Sequence, residues 1–375
     1  METKPFQCDA ITLREVNLPM RQPFVTANGT ESSRRLILVE VRVGETVGWG
    51  ESPPLSAPFY TEETPETAWY ILREFLIPTA LERVWSHPSE LAAAIRPIRR
   101  HFMAKAGLEG AFWDVYAKQR GVPLAHMLGG TRERVVAGVA LGIERDIQQL
   151  LAKAAALIER GYRRLKIKIQ PGWDFEPLQA VRRRYPDLPL FADANSAYTL
   201  ADIEDLKRLD GLELAMIEQP LAHDDIVDHA VLQRQLKTPI CLDESIHSAE
   251  DARKALELGS CRVINIKAPR VGGLTEALRI HALCQERNVP VWCGGMIDSG
   301  IGKAHNLALA SLPGFSLPGD LPESARHWHE DLVFPDIQLD AEGCIPVPQG
   351  PGIGVAVNRK ALDRYTVRLE TFERR

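Results

Sequence analysis

Arg164-Leu165-Lys166-Ile167-Lys168, Leu190-Phe191-Ala192-Asp193, Ala215-Met216-Ile217-Glu218, Ile240-Cys241-Leu242-Asp243 and Val263-Ile264-Asn265-Ile266-Lys267 are five short, mostly apolar runs, each closed by a charged residue. Twenty-five residues separate Lys168 from Asp193, Asp193 from Glu218 and Glu218 from Asp243, and 24 separate Asp243 from Lys267. The segments between the runs carry helical periodicity. A strand-plus-helix unit repeating at this interval is what a (β/α) barrel requires, and such barrels carry their chemistry at the C-terminal ends of the strands. The rhythm extends outward to strands over Val135–Ile143 and Val291–Cys293 and to a weak eighth at Phe315–Leu317. Thr199-x-x-Asp202 and Ser248-x-x-Asp251 read as helix starts, and Gly259 as a helix stop.

Side chains alternate along a strand, so Lys166 and Lys168 share a face while Leu165, Ile167 and Ile169 turn toward the helices. The same alternation pairs Phe191 with Asp193, Met216 with Glu218, Cys241 with Asp243 and Asn265 with Lys267. One layer below the charged rim the expected floor is Lys166, Phe191, Met216, Cys241 and Asn265. A single charged strand end is most often solvated or a cap. Five adjacent strands ending so leave either an ion-pair network, which seldom stabilises more than apolar packing would, or an active site.

Three carboxylates from adjacent strands offer oxygen ligands only, which suits a hard divalent cation, Mg²⁺ first and Mn²⁺ next. No histidine stands at these positions, which argues against zinc. With one lysine neutral as a base, the cation, the three acids and the other two lysines leave one positive charge. A substrate carboxylate cancels it. Cation and neighbouring ammonium groups are expected to depress a lysine pKa toward working pH, as general-base catalysis needs.

The rest of the chain bounds the reading. Residues 1–125 lack the repeat: they open with β-like runs (Ala10–Asn17, Leu36–Val43, Thr46–Trp49), continue with helical patterns (Pro65–Phe75, Ser89–Ala94, about Ala104 to Arg120), and hold two polar loops near 23–33 and 50–60 suited to act as lids. This α+β segment is expected to be a capping domain completed by residues 326–375, over a catalytic barrel at 126–325. A net charge of −5 on 375 residues excludes a nucleic-acid footprint. No apolar stretch reaches the ~18 residues of a membrane span, and METKPFQCDA has no apolar leader. Six cysteines without a CxxC pair read as reduced thiols of a cytoplasmic protein.

Lys166-x-Lys168, Asp193-Ala-Asn195, Glu218-Gln-Pro220, Asp243-Glu-Ser245 and Asn265-Ile-Lys267 together resemble the enolase superfamily, muconate-lactonizing subgroup, along nearly the full length. Trp292-Cys-Gly-Gly-Met-Ile-Asp-Ser-Gly300 and Pro318-Gly-Asp320 resemble its N-succinylamino acid (N-acylamino acid) racemase and o-succinylbenzoate synthase family. The resemblance implies an α/β fold, a modified TIM barrel of the (β/α)7β type with an α+β cap. It further implies Asp193, Glu218 and Asp243 as Mg²⁺ ligands, Lys168 and Lys267 as acid/base lysines on opposite faces of the α-carbon, and Lys166 neutralising the substrate carboxylate. Proton abstraction through a metal-stabilised enediolate then serves racemisation of an N-acylamino acid and syn-dehydration of a cyclohexadiene carboxylate. A homo-oligomer is implied by resemblance alone. A dedicated synthase of menaquinone biosynthesis is the alternative, with muconate cycloisomerase and a non-catalytic relative behind it.

Departures narrow the choice. Strand seven offers Gly294, Gly295 and Met296 where a mandelate-racemase-like site has a catalytic histidine. Strand eight offers Asp320-Leu321-Pro322 rather than an Asp-x-Asp pair, so a neutral N-acyl group fits better than an ammonium. Pro269 stands where a small residue is expected. Asn195, Gly294, Met296 and Ile297 are expected to bind substrate, as are Phe24 and Tyr60 from the two loops; His126 and His305 are assigned to structure.

Overall fold

A computed structural model describes residues 5–27 and 29–374. Three long strands, Ala10–Thr26, Gly29–Val43 and Thr46–Ser52, form an antiparallel meander whose inner rows (Ile11, Leu13, Leu36, Leu38) are fully buried. The helix Phe102–Gln119 lies on this sheet and is buried over nearly its whole length. Gly50 permits that approach: a Cβ there would collide with the Gly107 carbonyl of the helix. The segment at 23–33 is therefore not a loop as expected. Phe24, Val25 and Thr26 pair with Glu31, Thr30 and Gly29, so a hairpin tip projects from the sheet, with a register break between Pro19 and Phe24. Asn28 lies outside the described residues. The second expected lid is irregular from Pro53 until Thr64 caps the helix Pro65–Ile71.

Seven parallel strands follow in chain order: Arg134–Leu141, Leu165–Lys168, Leu190–Asp193, Met216–Glu218, Ile240–Leu242, Val263–Ile266 and Val291–Cys293. The eighth is Gly319–Asp320, paired with Ala137 and Gly138 of the first, and not Phe315–Leu317 as expected. Pro313 and Pro318 bracket the expected run, and proline cannot donate to a ladder; Phe315 keeps one parallel bridge to Val291 and stacks on His281. The result is a nearly closed eight-stranded barrel ringed by helices. Thr199 and Asp202 form the expected capping box, Ser248 caps its helix, and Gly259 ends it in a left-handed turn.

The barrel floor is Phe191, Met216, Cys241, Val263 and Trp292. Two members differ from expectation because the barrel is staggered. Cys241 pairs with Glu218 rather than Met216, and with Val263 rather than Asn265. Asn265 therefore rises into the polar layer, and Trp292 and Val263 fill the space below. Leu165, Ile167 and Ile169 belong to the outer core beneath the helices, as alternation requires.

Beyond the barrel, Cys344–Pro346 runs antiparallel to the first barrel strand. The Pro/Gly-rich stretch after it returns to the meander, where the Ile353 amide bonds Asp114 of the long helix and Thr366–Glu373 adds an edge strand to Ala10–Thr26. All six cysteines are free. No helix among the described residues is long and apolar enough to cross a membrane.

Candidate active site

The six charged strand ends converge at one mouth of the barrel, all buried. Lys166 Nζ lies 2.9 Å from Asp193, 2.9 Å from Glu218 and 2.6 Å from Asp320. Lys168 Nζ donates to Asp193 Oδ2 at 2.7 Å and to Asn195 Oδ1 at 2.6 Å. Across the mouth Lys267 Nζ donates to Asp243 Oδ2 at 2.7 Å and to the Tyr60 hydroxyl at 2.8 Å. Each of these two lysines is thus tethered to its own carboxylate, Lys168 to Asp193 and Lys267 to Asp243.

Neighbours that sequence reasoning missed complete the layer. Arg270, three residues past Lys267, is fully buried; its guanidinium bonds Asp243 Oδ1, the Asn265 carbonyl and, through Nε, the Ile246 carbonyl. Pro269 opens the single helical turn Ala268–Val271 that aims it, which answers what the unexpected proline does there. Glu244 accepts from Asn195 Nδ2 at 3.0 Å, while its Oε2 is buried without a partner among the described residues. Asn265 donates to Glu218 Oε1 at 2.7 Å. Period-two reasoning admits one inward residue per strand end, so Glu244 and Arg270, on the turns beyond, gave no signal. Arg164 ties Asp320 from below and stacks over Phe191. The Asp320 carboxylate is therefore spent on two cations, which agrees with a site that receives no substrate ammonium.

A cavity of about 220 Å³ opens over Lys168 and Lys267, lined also by Phe24, Tyr60, Asn195, Met296 and Ile297. A smaller lobe of about 70 Å³ adjoins it at Lys166 and Asp320. Every expected substrate-binding residue reaches this space except Gly294. Its neighbour Gly295 takes that place. Gly294 sits beneath, where an added Cβ would meet Asn265 Nδ2 and Lys267 Cε at 2.6 Å; it makes room for the lysine stem. Backbone strain gathers at the same mouth: Asn195, Ser196, Gln219 and the β-branched Ile297 all have positive φ, between 38° and 66°.

The electrostatics follow from packing ionised groups out of water. Burial alone would raise Asp193, but Lys166 and Lys168 outweigh it and hold that carboxyl well below the usual range. Burial, reinforced by Asp193, pushes Glu218 up. Burial and Asp193 likewise push Glu244 up to about 7. At Lys166 and Lys267 burial and the surrounding acids act in opposite senses. Burial presses both down, yet the acids beside Lys166, and Tyr60 with Glu218 and Glu244 beside Lys267, hold them above the ordinary value.

The donor chemistry fits a hard divalent cation: Asp193 and Glu218 crowd each other, and Glu244 points an unpartnered oxygen into the same buried layer. Among the described residues, however, no three acids stand as a ready cage. Asp243 is the reason, since Lys267, Tyr60 and Arg270 occupy both its oxygens.

The family model described as "Mandelate racemase / muconate lactonizing enzyme, N-terminal domain" matches residues 9–129, and "Enolase C-terminal domain-like" matches 149–361. The o-succinylbenzoate synthase of Geobacillus kaustophilus is 53% identical over 97% of both chains. The N-succinylamino acid racemase of Thermus thermophilus is 48% identical over 96% of this chain and 97% of its own. A solved structure of an enolase-superfamily member from Listeria innocua superposes with a TM-score of 0.95 at 41% identity, covering 99% of this chain and all of that one. Enzymes of this superfamily use a divalent metal. With barrel, cap and charged mouth in place, the chain belongs to the enolase superfamily, in its mandelate racemase/muconate lactonizing branch.

Proposed function

We propose that this enzyme abstracts the proton α to a carboxylate, racemising N-acylamino acids, N-succinyl ones in particular, and also dehydrating a cyclohexadiene carboxylate to o-succinylbenzoate. The observation that carries the reading is the pair Lys168 and Lys267, each anchored on a different buried carboxylate and both lining one cavity. The names of the relatives, synthase and racemase alike, support it.

In this reading Asp193, Glu218 and Asp243 hold Mg²⁺, with Mn²⁺ as a substitute. When bound, the ion neutralises charge that develops on the substrate carboxylate. Lys166, set among three acids, contributes a fixed positive charge beside the same carboxylate. One lysine, as the free amine, removes the α-proton; the electron pair moves into the carboxylate as an enediolate; the other lysine returns a proton from the opposite face. In the dehydration Lys168 takes the α-proton and delivers it to the departing hydroxide, while Lys267 remains a cation. Phe24, Tyr60, Met296 and Ile297 wall the apolar end, and Asn195 orients Lys168. We place the cap at residues 1–125 with 326–375 and the barrel at 126–325, supported by the pairing of Thr366–Glu373 with Ala10–Thr26. A homo-oligomer in the cytoplasm completes the proposal.

Incubation with Mg²⁺ and N-succinyl-L-phenylalanine in D₂O tests it. Deuterium should enter the α-position as optical rotation is lost; no exchange in either enantiomer rejects the racemase. The second reading, a dedicated synthase, is favoured by the 53% relative. It predicts turnover of the cyclohexadiene substrate with exchange slower by orders of magnitude.

A further inference from the structure

Away from the active site a cleft of about 690 Å³ opens between the cap and two barrel helices, a volume typical of small-molecule sites. Its rim carries Arg96, Arg99 and Arg100, all exposed, and none of their guanidinium groups has a hydrogen-bond or ion-pair partner among the described residues. Its floor carries Lys105, only 7% exposed, whose ammonium bonds the Ile98 carbonyl, lies over the Phe102 ring and forms no ion pair among the described residues. The two acids of the cleft are already committed: Glu250 to Arg253 and Lys254, Glu276 to Arg279 and the Ala249 amide.

This arrangement works against the helix it precedes. Lys105 sits in the first turn of the 18-residue helix Phe102–Gln119, which has no acid of its own in that turn, so this ammonium lies at the positive end of a helix dipole. Burying an ammonium without a counter-ion is costly. Glu63, the acid whose charge reaches Lys105, already caps the Met103 and Ala104 amides, while Glu62 and Asp251 lie toward His247. Phe102 and His247, stacked with centroids 5.2 Å apart, offer a flat wall beside the arginines.

We propose that this cleft is a second binding site, for a small metabolite bearing a di- or triphosphate group. Three unpaired guanidinium forks match phosphate oxygens bidentately, and the buried ammonium supplies a point charge below them. The far wall, His247-Ser248 and Val271-Gly272, is the reverse side of the two turns that deliver Asp243 and Arg270 to the active site. The site is independent of the catalytic lysines and of the reaction assigned to them.

Calorimetry with inorganic tripolyphosphate, at constant free Mg²⁺, tests it on the full chain. One equivalent should bind, more weakly as salt rises, and Arg96→Glu and Arg99→Glu should each weaken binding at least tenfold while α-proton exchange is retained. Citrate, of similar charge but planar carboxylates, should bind at least tenfold more weakly than tripolyphosphate. Absence of binding overturns the proposal. So does binding that the substitutions leave unchanged, or that N-succinylphenylalanine displaces competitively, since either would place the anion at the catalytic lysines.

Discussion

Replacing Lys168 and Lys267 one at a time by glutamine separates two-base chemistry from every single-base alternative. Each lysine is tethered to an acid that keeps a second cation after the substitution. Asp193 retains Lys166 at 2.9 Å, and Asp243 retains Arg270 and the Tyr60 hydroxyl. Breaking a buried ion pair outright costs about 3–5 kcal/mol. Because neither acid is left bare, each variant should lose less than about 2 kcal/mol, and Lys168→Gln, which relieves a crowded ammonium pair, should be close to neutral. Activity must fall much further than stability, since a positioned acid or base contributes about 10²–10⁴-fold. The decisive readout is α-proton exchange in D₂O followed by NMR with each enantiomer separately. Both variants should fail to racemise. Each should still wash out the α-proton of one enantiomer, through the lysine that remains, and the two should prefer opposite enantiomers. Dehydration should be abolished in Lys168→Gln and only reduced in Lys267→Gln. Retained racemisation in either variant refutes the assignment, as does preference of both for the same enantiomer.

Arg270→Met removes the guanidinium that holds Asp243 and should lower stability by about 2–4 kcal/mol in urea titration, because Lys267 compensates only part of the exposed charge; a neutral result would show that Lys267 alone satisfies the acid. Glu63 is held by burial at about 7, above its ordinary value of 4.5, so the folded state binds the proton more tightly. Its contribution to stability is greatest below pH 4.5 and declines as pH rises to about 7, by at most about 3 kcal/mol. Glu63→Gln should flatten the fall in urea midpoint between pH 5 and 8 relative to the parent, and parallel curves would contradict this. Mg²⁺ at a hundred times its dissociation constant should stabilise the chain by about 2.7 kcal/mol in thermal melts, reversibly with chelator. Glu218→Gln should abolish that gain, and an unchanged gain would place the ion elsewhere.

The barrel was legible because its signal repeats. Five runs at one spacing specify both the strands and the depth at which their last residues emerge, and period-two alternation then decides which side chains face inward. The same rule failed wherever the chain leaves the strand. Arg270 lies on a turn that Pro269 opens and Gly272 closes, and Glu244 on one whose amides Gln219 holds, and no periodicity reports either. The floor was misread by two residues because stagger between strands is a property of the closed barrel, and each strand in isolation is silent about it. At the eighth strand, apolar character pointed to Phe315–Leu317 while hydrogen bonding selected Gly319–Asp320, where Asp320 meets Arg164 and Lys166. The hairpin tip at Phe24 was taken for a loop because polar residues in an exposed ribbon look the same in sequence as polar residues in a coil.

The division of labour between the two parts of the chain explains how one site can run two reactions. The groups proposed to handle protons and charge, Lys166, Lys168, Lys267 and the three acids, come from barrel strand ends and are locked by mutual ion pairs, so in this reading their positions do not depend on which substrate is present. The groups that set shape come from the cap and the strand-seven loop: Phe24 on the hairpin tip, Tyr60 on the irregular segment, Met296 and Ile297 opposite. Racemisation and dehydration share the abstraction step, and what distinguishes them is whether the substrate carries a leaving group on the adjacent carbon. Among the described residues Tyr60 is the cap residue that hydrogen-bonds into the charged layer, to both Lys267 and Asp243. It therefore couples closure of the apolar end to the placement of the second lysine. In the proposed mechanism the second lysine acts as an acid/base in racemisation but only as a cation in dehydration, so changes in the cap that move Tyr60 should alter the ratio of the two activities more than either activity's dependence on Lys168.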